Sequence, residues 1–193
     1  MLIGDPSVLA IESEVTRAYA RRSFLALGSF VIHVRGRGYG RGSSDSSMLA
    51  CSHDEVERRV AERGSHTVVF GAESDVAKIA DAFLNAVYAD EQQDHHFGIP
   101  RAEFTNLVYS KHLIWAPEGD EGFDDGSYVL QFDVQDQARV IAFKNENCVH
   151  APGSLREVWL PADDFYKILR DWREAFVKEW ASLPKEPEDS TVR

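Results

Sequence analysis

Residues 128–143, YVLQFDVQDQARVIAF, encode two consecutive strands. Every second residue from Tyr128 to Val134 is apolar, which is the period typical of a half-buried strand. Residues 136–137 suit a tight reversal, and the β-branched and aromatic residues of 139–143 then favour a second strand. The stretch therefore predicts an antiparallel meander.

The C-terminal part of the chain is typical of one long amphipathic helix. Pro161 suits the first turn of a helix, and the acidic residues Asp163 and Asp164 complement the positive end of the helix dipole. Pro184 ends the pattern. An apolar stripe recurs at helical spacing between them and consists of Phe165, Ile168, Leu169, Trp172, Phe176, Trp180 and Leu183. We expect this helix to pack on the sheet.

Shorter patterns precede the meander. Strands are predicted over residues 7–14, 30–34 and 67–70, and helices over residues 53–63 and 75–88. Ser52 and Glu55 form the pattern of a capping box at the start of the first of these helices. Residues 90–100 are polar and are expected to form a loop, whereas residues 106–115 contain two short apolar stretches.

Strands grouped in the middle of the chain, with helices before and after them, predict an α+β fold. We expect a single domain over residues 1–184, with a mostly antiparallel sheet that is covered on one side, flanking helices and the long C-terminal amphipathic helix. Residues 185–193 contain Pro187 and several charges, and they are expected to form a flexible tail.

The composition is that of a soluble globular protein. The chain has 193 residues, of which 44% are hydrophobic and 27% are charged, and its apolar runs are too short to span a bilayer. Residues 1–6 lack the basic region and the apolar core of a signal peptide, so we expect a cytoplasmic protein. Cys51 and Cys148 lie far apart without a C-x-x-C pair, which argues against a zinc site or a redox motif.

Positive charge is missing from the centre of the chain. Residues 112–138 contain no Lys or Arg but seven carboxylates, and five of these lie in residues 116–126, APEGDEGFDDG, which we call the acidic segment. Such a cluster favours docking of a basic partner, with Phe123 as an aromatic anchor beside carboxylates that imitate phosphate. The candidate binding residues are Glu118, Asp120, Glu121, Phe123, Asp124 and Asp125. The alternative is a solvated hairpin tip with a half-buried Phe123.

A second unusual segment is rich in arginine and glycine. The net charge of -11 argues against a protein whose main role is to bind nucleic acid. Residues 35–42, RGRGYGRG, nevertheless suggest a nucleotide or RNA contact through Arg35, Arg37, Tyr39 and Arg41. The alternative is a strand end whose arginines pair with the acidic excess. The even glycine spacing matches neither the dinucleotide-binding fingerprint nor a phosphate-binding loop.

His95 and His96 suggest a metal site. Imidazole and carboxylate groups are common metal ligands, and Asp90, Glu91 and Asp94 lie close by in the sequence. A small metal-dependent hydrolase is therefore an alternative function. Adjacent histidines in a polar loop are usually solvated, however, and the sequence matches neither the motif of a hydrolase nucleophile nor that of a calcium loop. We expect no catalytic residues, no metal and no cofactor.

Two parts of the chain resemble the immunity protein 42 family of bacterial polymorphic toxin systems. The first is residues 2–12, LIGDPSVLAIE, with the predicted strand of residues 28–34 and its glycine-rich exit. The second is residues 126–133, GSYVLQFD, with the terminal helix after residues 158–161, VWLP. The resemblance implies a small, non-enzymatic α+β protein that binds the toxin encoded beside it and protects the producing cell. It supplies no inhibitory residues, so the predicted site rests on charge.

Together, these observations predict an immunity protein that occludes a cognate toxin. We expect the acidic segment to enter a basic active-site cleft, because toxins that attack nucleic acid or phosphorylated substrates commonly have such a cleft. A membrane partner is not expected, and nucleic acid is disfavoured as a partner.

Overall fold

Strands and helices alternate along the chain in the computed structural model, which describes residues 1–21, 25–73, 75–89, 94–117 and 119–186. The N-terminal half contains β1 (Leu2–Asp5), β2 (Leu9–Tyr19), β3 (Ala26–Val34), β4 (Arg37–Tyr39), β5 (Ser47–Met48), α1 (Leu49–Ala61), α2 (Val76–Tyr88), β6 (His95–His96) and β7 (Ile99–Pro100). The C-terminal half contains α3 (Arg101–Ser110), β8 (Ile114–Ala116), β9 (Ser127–Val134), β10 (Gln137–Glu146), β11 (Val149–His150), β12 (Arg156–Pro161), α4 (Ala162–Ser182) and β13 (Lys185–Glu186). The predicted α+β class is confirmed.

The first sheet is built around the long hairpin of β2 and β3. Its order is β1-β2-β3-β4, with β5 paired to β3 and β13 paired to β2. Only β13 runs parallel to its neighbour among the described strands of this sheet. The strands predicted at residues 7–14 and 30–34 are confirmed. Gly28 is required inside the hairpin, because a Cβ atom there would lie 1.8 Å from the carbonyl oxygen of Glu14.

The second sheet contains the predicted meander, which is confirmed. β9 and β10 pair antiparallel along residues 127–134 and 137–144. The sheet order is β11-β10-β9-β8, with β12 beside β10. The prediction of a single sheet covered on one side is wrong, because both faces of this second sheet are buried. Neighbouring side chains of β9 enter two different hydrophobic cores, Val129 the first and Leu130 the second.

The first core lies where both sheets meet α1 and α4. α4 confirms the predicted long helix, and its apolar stripe places Phe165, Trp172 and Phe176 in this core. The indole of Trp172 donates a hydrogen bond to Ser13 Oγ at 3.0 Å, which fixes α4 on β2.

Helix α1 begins at Leu49, one turn earlier than predicted. The capping-box prediction is wrong, because Ser52 and Glu55 lie inside the helix. Their side chains make tertiary and helix-internal contacts instead. Ser52 donates a hydrogen bond to Asp120, and Glu55 forms an ion pair with Arg59 at 2.7 Å.

The second core lies on the other face of the second sheet, where α2 and α3 cover it. α2 confirms the helix predicted over residues 75–88. The first of the two apolar stretches in residues 106–115 belongs to the helix α3. The sequence of α3 has a weak helical pattern of apolar residues, because only Phe104 and Val108 of this helix are buried. The predicted loop is in part the hairpin of β6 and β7, and residues 90–93 of that loop lie outside the described residues.

The strand predicted at residues 67–70 is wrong, because a 3₁₀-helix spans Val69–Ala72. One guanidinium nitrogen of Arg139, a buried residue, donates to the carbonyl oxygens of Gly71 and Glu73 at 2.8 and 2.7 Å. In an extended strand, residues two apart are separated by about 7 Å. A tight turn brings both carbonyls to the same nitrogen.

The chain returns to the first sheet after α4. Lys185 and Glu186 pair with Ala18 and Tyr19 of β2, so the first two residues of the predicted tail are in a strand. Residues 187–193 lie outside the described residues. Among the described helices, none is both long and apolar enough to cross a membrane.

Candidate functional site

The acidic segment connects β8 to β9, and its centre is a short 3₁₀-helix over Glu121–Phe123. Asp120 caps this helix by accepting a hydrogen bond from the backbone N–H of Gly122 at 2.8 Å. The same carboxylate accepts hydrogen bonds from the hydroxyls of Ser47 and Ser52, which tie the segment to β5 and α1. The expected exposure of Asp120 is wrong, because its oxygens are used to anchor the segment inside the protein.

Phe123 is also inside the protein, with 2% of its surface exposed. Its ring meets that of Phe30 edge-on, with 6.3 Å between the centroids. Gly40 leaves room for this ring, because a Cβ atom there would lie 3.1 Å from a ring carbon of Phe123. The expected protruding aromatic anchor is therefore wrong, since burial of the ring in the first core stabilises the folded segment.

The other carboxylates of the acidic segment differ in exposure. Glu121 and Asp124 are exposed, whereas Asp125 is half-buried and pairs with Lys144 at 2.5 Å. Glu118 lies outside the described residues. Among the described members of the predicted set, Glu121 and Asp124 are the exposed ones, and their contact with a partner stays a prediction.

The first turn of α1 lies against the acidic segment. Cys51 is half-exposed in this turn, and burial together with the charges of Asp120, Asp54 and Glu121 raises the pKa of its thiol. These three carboxylates therefore lie near Cys51. We call the exposed carboxylates Asp54, Glu121 and Asp124 the acidic surface. Asp54 was not among the sequence candidates, because charged residues on a solvated helix face carry no distinctive pattern.

A groove of about 530 Å³ lies between α1 and α4, beside Asp54. We call it the α1–α4 groove, and it is lined by Leu25, His53, Asp54, Glu57, Arg173, Phe176, Val177 and Trp180. Possible ligand atoms of His53, Asp54 and Glu57 lie within 4.8 Å of one another. Arg173 pairs with Glu57 at 3.4 Å, so a cationic side chain already balances part of this cluster.

Residues 1–175 match the family described as Immunity protein 42. The chain belongs to the immunity protein 42 family. The resemblance drawn from the sequence is thereby confirmed, and the protein is an immunity protein with an α+β fold.

This immunity protein is similar to a solved structure, that of CdiI from Burkholderia dolosa. The TM-score is 0.56 and the sequence identity is 17%, over 91% of this chain and 99% of that chain. At this level of identity, the similarity shows a shared fold. A comparison with curated proteins gave no match.

The arginine- and glycine-rich segment of the immunity protein has a structural role. Tyr39 is buried, and its hydroxyl donates a hydrogen bond to the carbonyl of Ser154. Burial raises the pKa of Tyr39 to about 12. Arg35 and Arg37 donate to backbone carbonyls in and before β12, at 3.3 and 2.8 Å. The nucleotide- or RNA-binding alternative is not favoured, because a buried Tyr39 is not accessible to stack on a base.

The two adjacent histidines line one cleft, but among the described residues they do not form a metal-ligating group with nearby acids. They form β6, in which successive side chains point to opposite sides. His95 is exposed, whereas the buried His96 ring lies 5.1 Å from that of Phe104. Burial and the charge of Arg101 lower the pKa of His96. Asp94 is exposed, and Asp90 and Glu91 lie outside the described residues, so the metal-dependent hydrolase is not favoured.

Asp125→Asn is expected to lower the free energy of unfolding at neutral pH, and this loss should become smaller at acid pH. Burial alone would raise the pKa of Asp125, but hydrogen bonds from Lys144 and Ser127 outweigh it and hold the pKa below the ordinary 3.8. Below pH 3.8, the carboxylate of Asp125 takes up a proton more readily in the unfolded chain than in the folded protein. The stabilisation by the ionised carboxylate is therefore complete above that pH, and it is lost as the pH falls through the lowered pKa of the folded protein.

For this partly exposed pair we expect a cost of about 0.5 kcal/mol at neutral pH. Urea unfolding at neutral pH and at about pH 3 measures the difference between the wild type and Asp125→Asn, which should shrink at the lower pH. Asp124→Asn is the matched control on the exposed side of the same turn. A difference that is equal at both pH values contradicts the role given to Lys144 and Ser127.

Proposed function

We propose that this immunity protein neutralises its cognate toxin by placing the acidic surface over a basic active-site cleft. The observation that carries the proposal is the position of Glu121 and Asp124, two exposed carboxylates in a stretch of chain with no Lys or Arg. Membership of a family of immunity proteins supports toxin binding as the role of the protein.

The internal anchors of the acidic segment support a docking role. Asp120 binds two hydroxyls and a backbone N–H, and Phe123 is packed in the first core. Glu121 and Asp124 are therefore held on a short, fixed turn before any partner arrives. A preordered segment loses less conformational entropy on binding than a mobile loop of the same charge.

Long-range electrostatics favour the same role. The chain carries a net charge of -11, so a basic partner is attracted from a distance and steered towards the exposed carboxylates. This effect acts mainly on the association rate and weakens as salt is added.

The double variant Glu121→Lys/Asp124→Lys tests the proposal. Using the toxin encoded by the adjacent gene, we expect the association rate to fall about 10- to 100-fold at low salt, with a smaller change in the dissociation rate. The rate should also become less dependent on salt. Stopped-flow or surface-binding kinetics at two salt concentrations measure both effects, and co-expression with the toxin measures protection of the cell.

A matched control reverses two exposed carboxylates elsewhere, Asp94→Lys/Glu103→Lys. These residues lie in the β6–β7 hairpin region and on α3, on the side of the second core, and the variant has the same net charge as the test variant. Equal association rates for the two double variants would show that net charge alone matters, and the acidic surface would not be the docking site.

A further inference from the structure

We infer that the toxin interface continues from the acidic surface into the α1–α4 groove, where an apolar side chain from a cationic segment of the toxin packs against Val177. This inference rests on the proposed function and extends it. Phe123 is buried, so a stable complex needs its apolar anchor point at another position, because interface hot spots are packed and desolvated.

The groove has an apolar wall that solvent can reach. Val177 is 43% exposed, and Trp180 and Leu25 lie beside it in the lining. The base of the groove is well packed. The buried ring of Phe176 stacks on that of Trp172 with 5.3 Å between the centroids, and its centroid lies 5.6 Å from that of the His53 ring. The volume of about 530 Å³ is of a size that admits a large side chain.

The rim of the groove selects for positive charge. Asp54 and Glu57 stand on the α1 side with exposed carboxylates, and Arg173 on α4 balances only one of them through its pairing with Glu57. His53 makes its polar contact with Asp54 at 3.2 Å. An apolar centre with a charged rim is the usual anatomy of a specific protein interface, and here the rim complements a basic partner.

The groove and the acidic surface are continuous along α1. Ser52 hydrogen-bonds to Asp120, which directly precedes the exposed Glu121. The next two residues of the helix, His53 and Asp54, line the groove. Asp54 thus belongs to both features, and a toxin segment that contacts Glu121 reaches the groove by following the first turns of α1.

The reactivity of the two cysteines reports which surface of the protein the toxin covers. Cys51 lies in the first turn of α1, beside Asp120 and near Asp54 and Glu121, whereas Cys148 lines a separate cleft of about 490 Å³ beside α2 and the β6–β7 hairpin. Both thiols are free and half-exposed. We expect the toxin to slow alkylation of Cys51 by iodoacetamide about tenfold or more and to leave Cys148 unchanged, as read by mass spectrometry of the free protein and the complex.

Val177→Gln separates the groove from the acidic surface. Glutamine keeps helix propensity and adds no charge, so we expect an unchanged association rate and a dissociation rate that rises about tenfold as the apolar contact is lost. Val69→Gln is the control, because Val69 is 87% exposed in the 3₁₀-helix of the second core. Equal thermal midpoints for both variants and the wild type show that folding is intact.

The outcomes distinguish the two proposals. A normal dissociation rate for Val177→Gln, together with slow association of Glu121→Lys/Asp124→Lys, overturns the groove inference and leaves the proposed function standing. Normal kinetics for both variants overturn both. Unprotected Cys51 in the complex, with protected Cys148, places the toxin at the cleft beside α2 and also overturns both.

Discussion

Phe123→Ala is expected to lower the free energy of unfolding by about 3–5 kcal/mol, the cost typical of truncating a buried Phe. The ring is 2% exposed and packs against Phe30 and the backbone at Gly40. Its removal leaves a cavity between the acidic segment and the first sheet that these neighbours cannot fill without moving. Urea unfolding, evaluated by linear extrapolation, measures the loss.

Two controls define this effect. Phe123→Leu keeps most of the volume and is expected to cost less than about 1.5 kcal/mol. Val69→Gln changes an exposed residue and should stay within about 0.5 kcal/mol of the wild type. Normal stability of Phe123→Ala combined with faster dissociation of the toxin would contradict the buried position and support the exposed anchor that the sequence suggested.

Arg59→Ala is expected to cost about 3–5 kcal/mol, because it removes the buried cation of an ion pair and takes the donor away from several buried acceptors at once. Arg59 is 0% exposed, and its guanidinium pairs with Glu55 at 2.7 Å and donates to Gln131 Oε1 at 2.7 Å. It also donates to the carbonyls of His112 and Ile114. One side chain thus joins α1 to β8 and β9.

Arg58→Ala is the matched control for Arg59→Ala. Arg58 precedes Arg59 on α1, is 33% exposed and also pairs with Glu55. Its truncation leaves Glu55 paired with Arg59, so we expect a cost below about 1 kcal/mol. Chemical denaturation of the two variants under identical conditions makes the comparison, and equal losses would show that the buried network does not set the stability of this region.

Much of the fold could be predicted because the relevant signals are local. The meander of β9 and β10 and the helix α4 follow from periods of two and 3.6 residues, which place apolar side chains on one face of each element. The same patterns did not show that β9 is buried on both faces. Gln131 and Asp133 are polar by sequence, yet both are buried and hydrogen-bonded to the hydroxyl of Tyr166 on α4.

The failed predictions concern side chains whose partners are distant in sequence. Ser52 has the spacing of a cap with Glu55, but its hydroxyl binds Asp120, which is 68 residues away. Residues 67–70 have the composition of a strand, but Arg139 requires a turn that presents two carbonyls. Local propensity is a weak preference, and tertiary hydrogen bonds of buried groups override it.

By itself, the sequence determined the family, the α+β class, the meander, the long helix and the concentration of negative charge in residues 116–126. Only the tertiary structure decided which of those residues face solvent. Asp120 and Phe123 turn inward because hydroxyl donors on β5 and α1 and an apolar contact on β3 are available there. Glu121 at the start of the same short helix and Asp124 directly after it remain exposed. The physical reason is that charge and periodicity are properties of neighbours along the chain, whereas burial depends on contacts that form only when distant segments pack together.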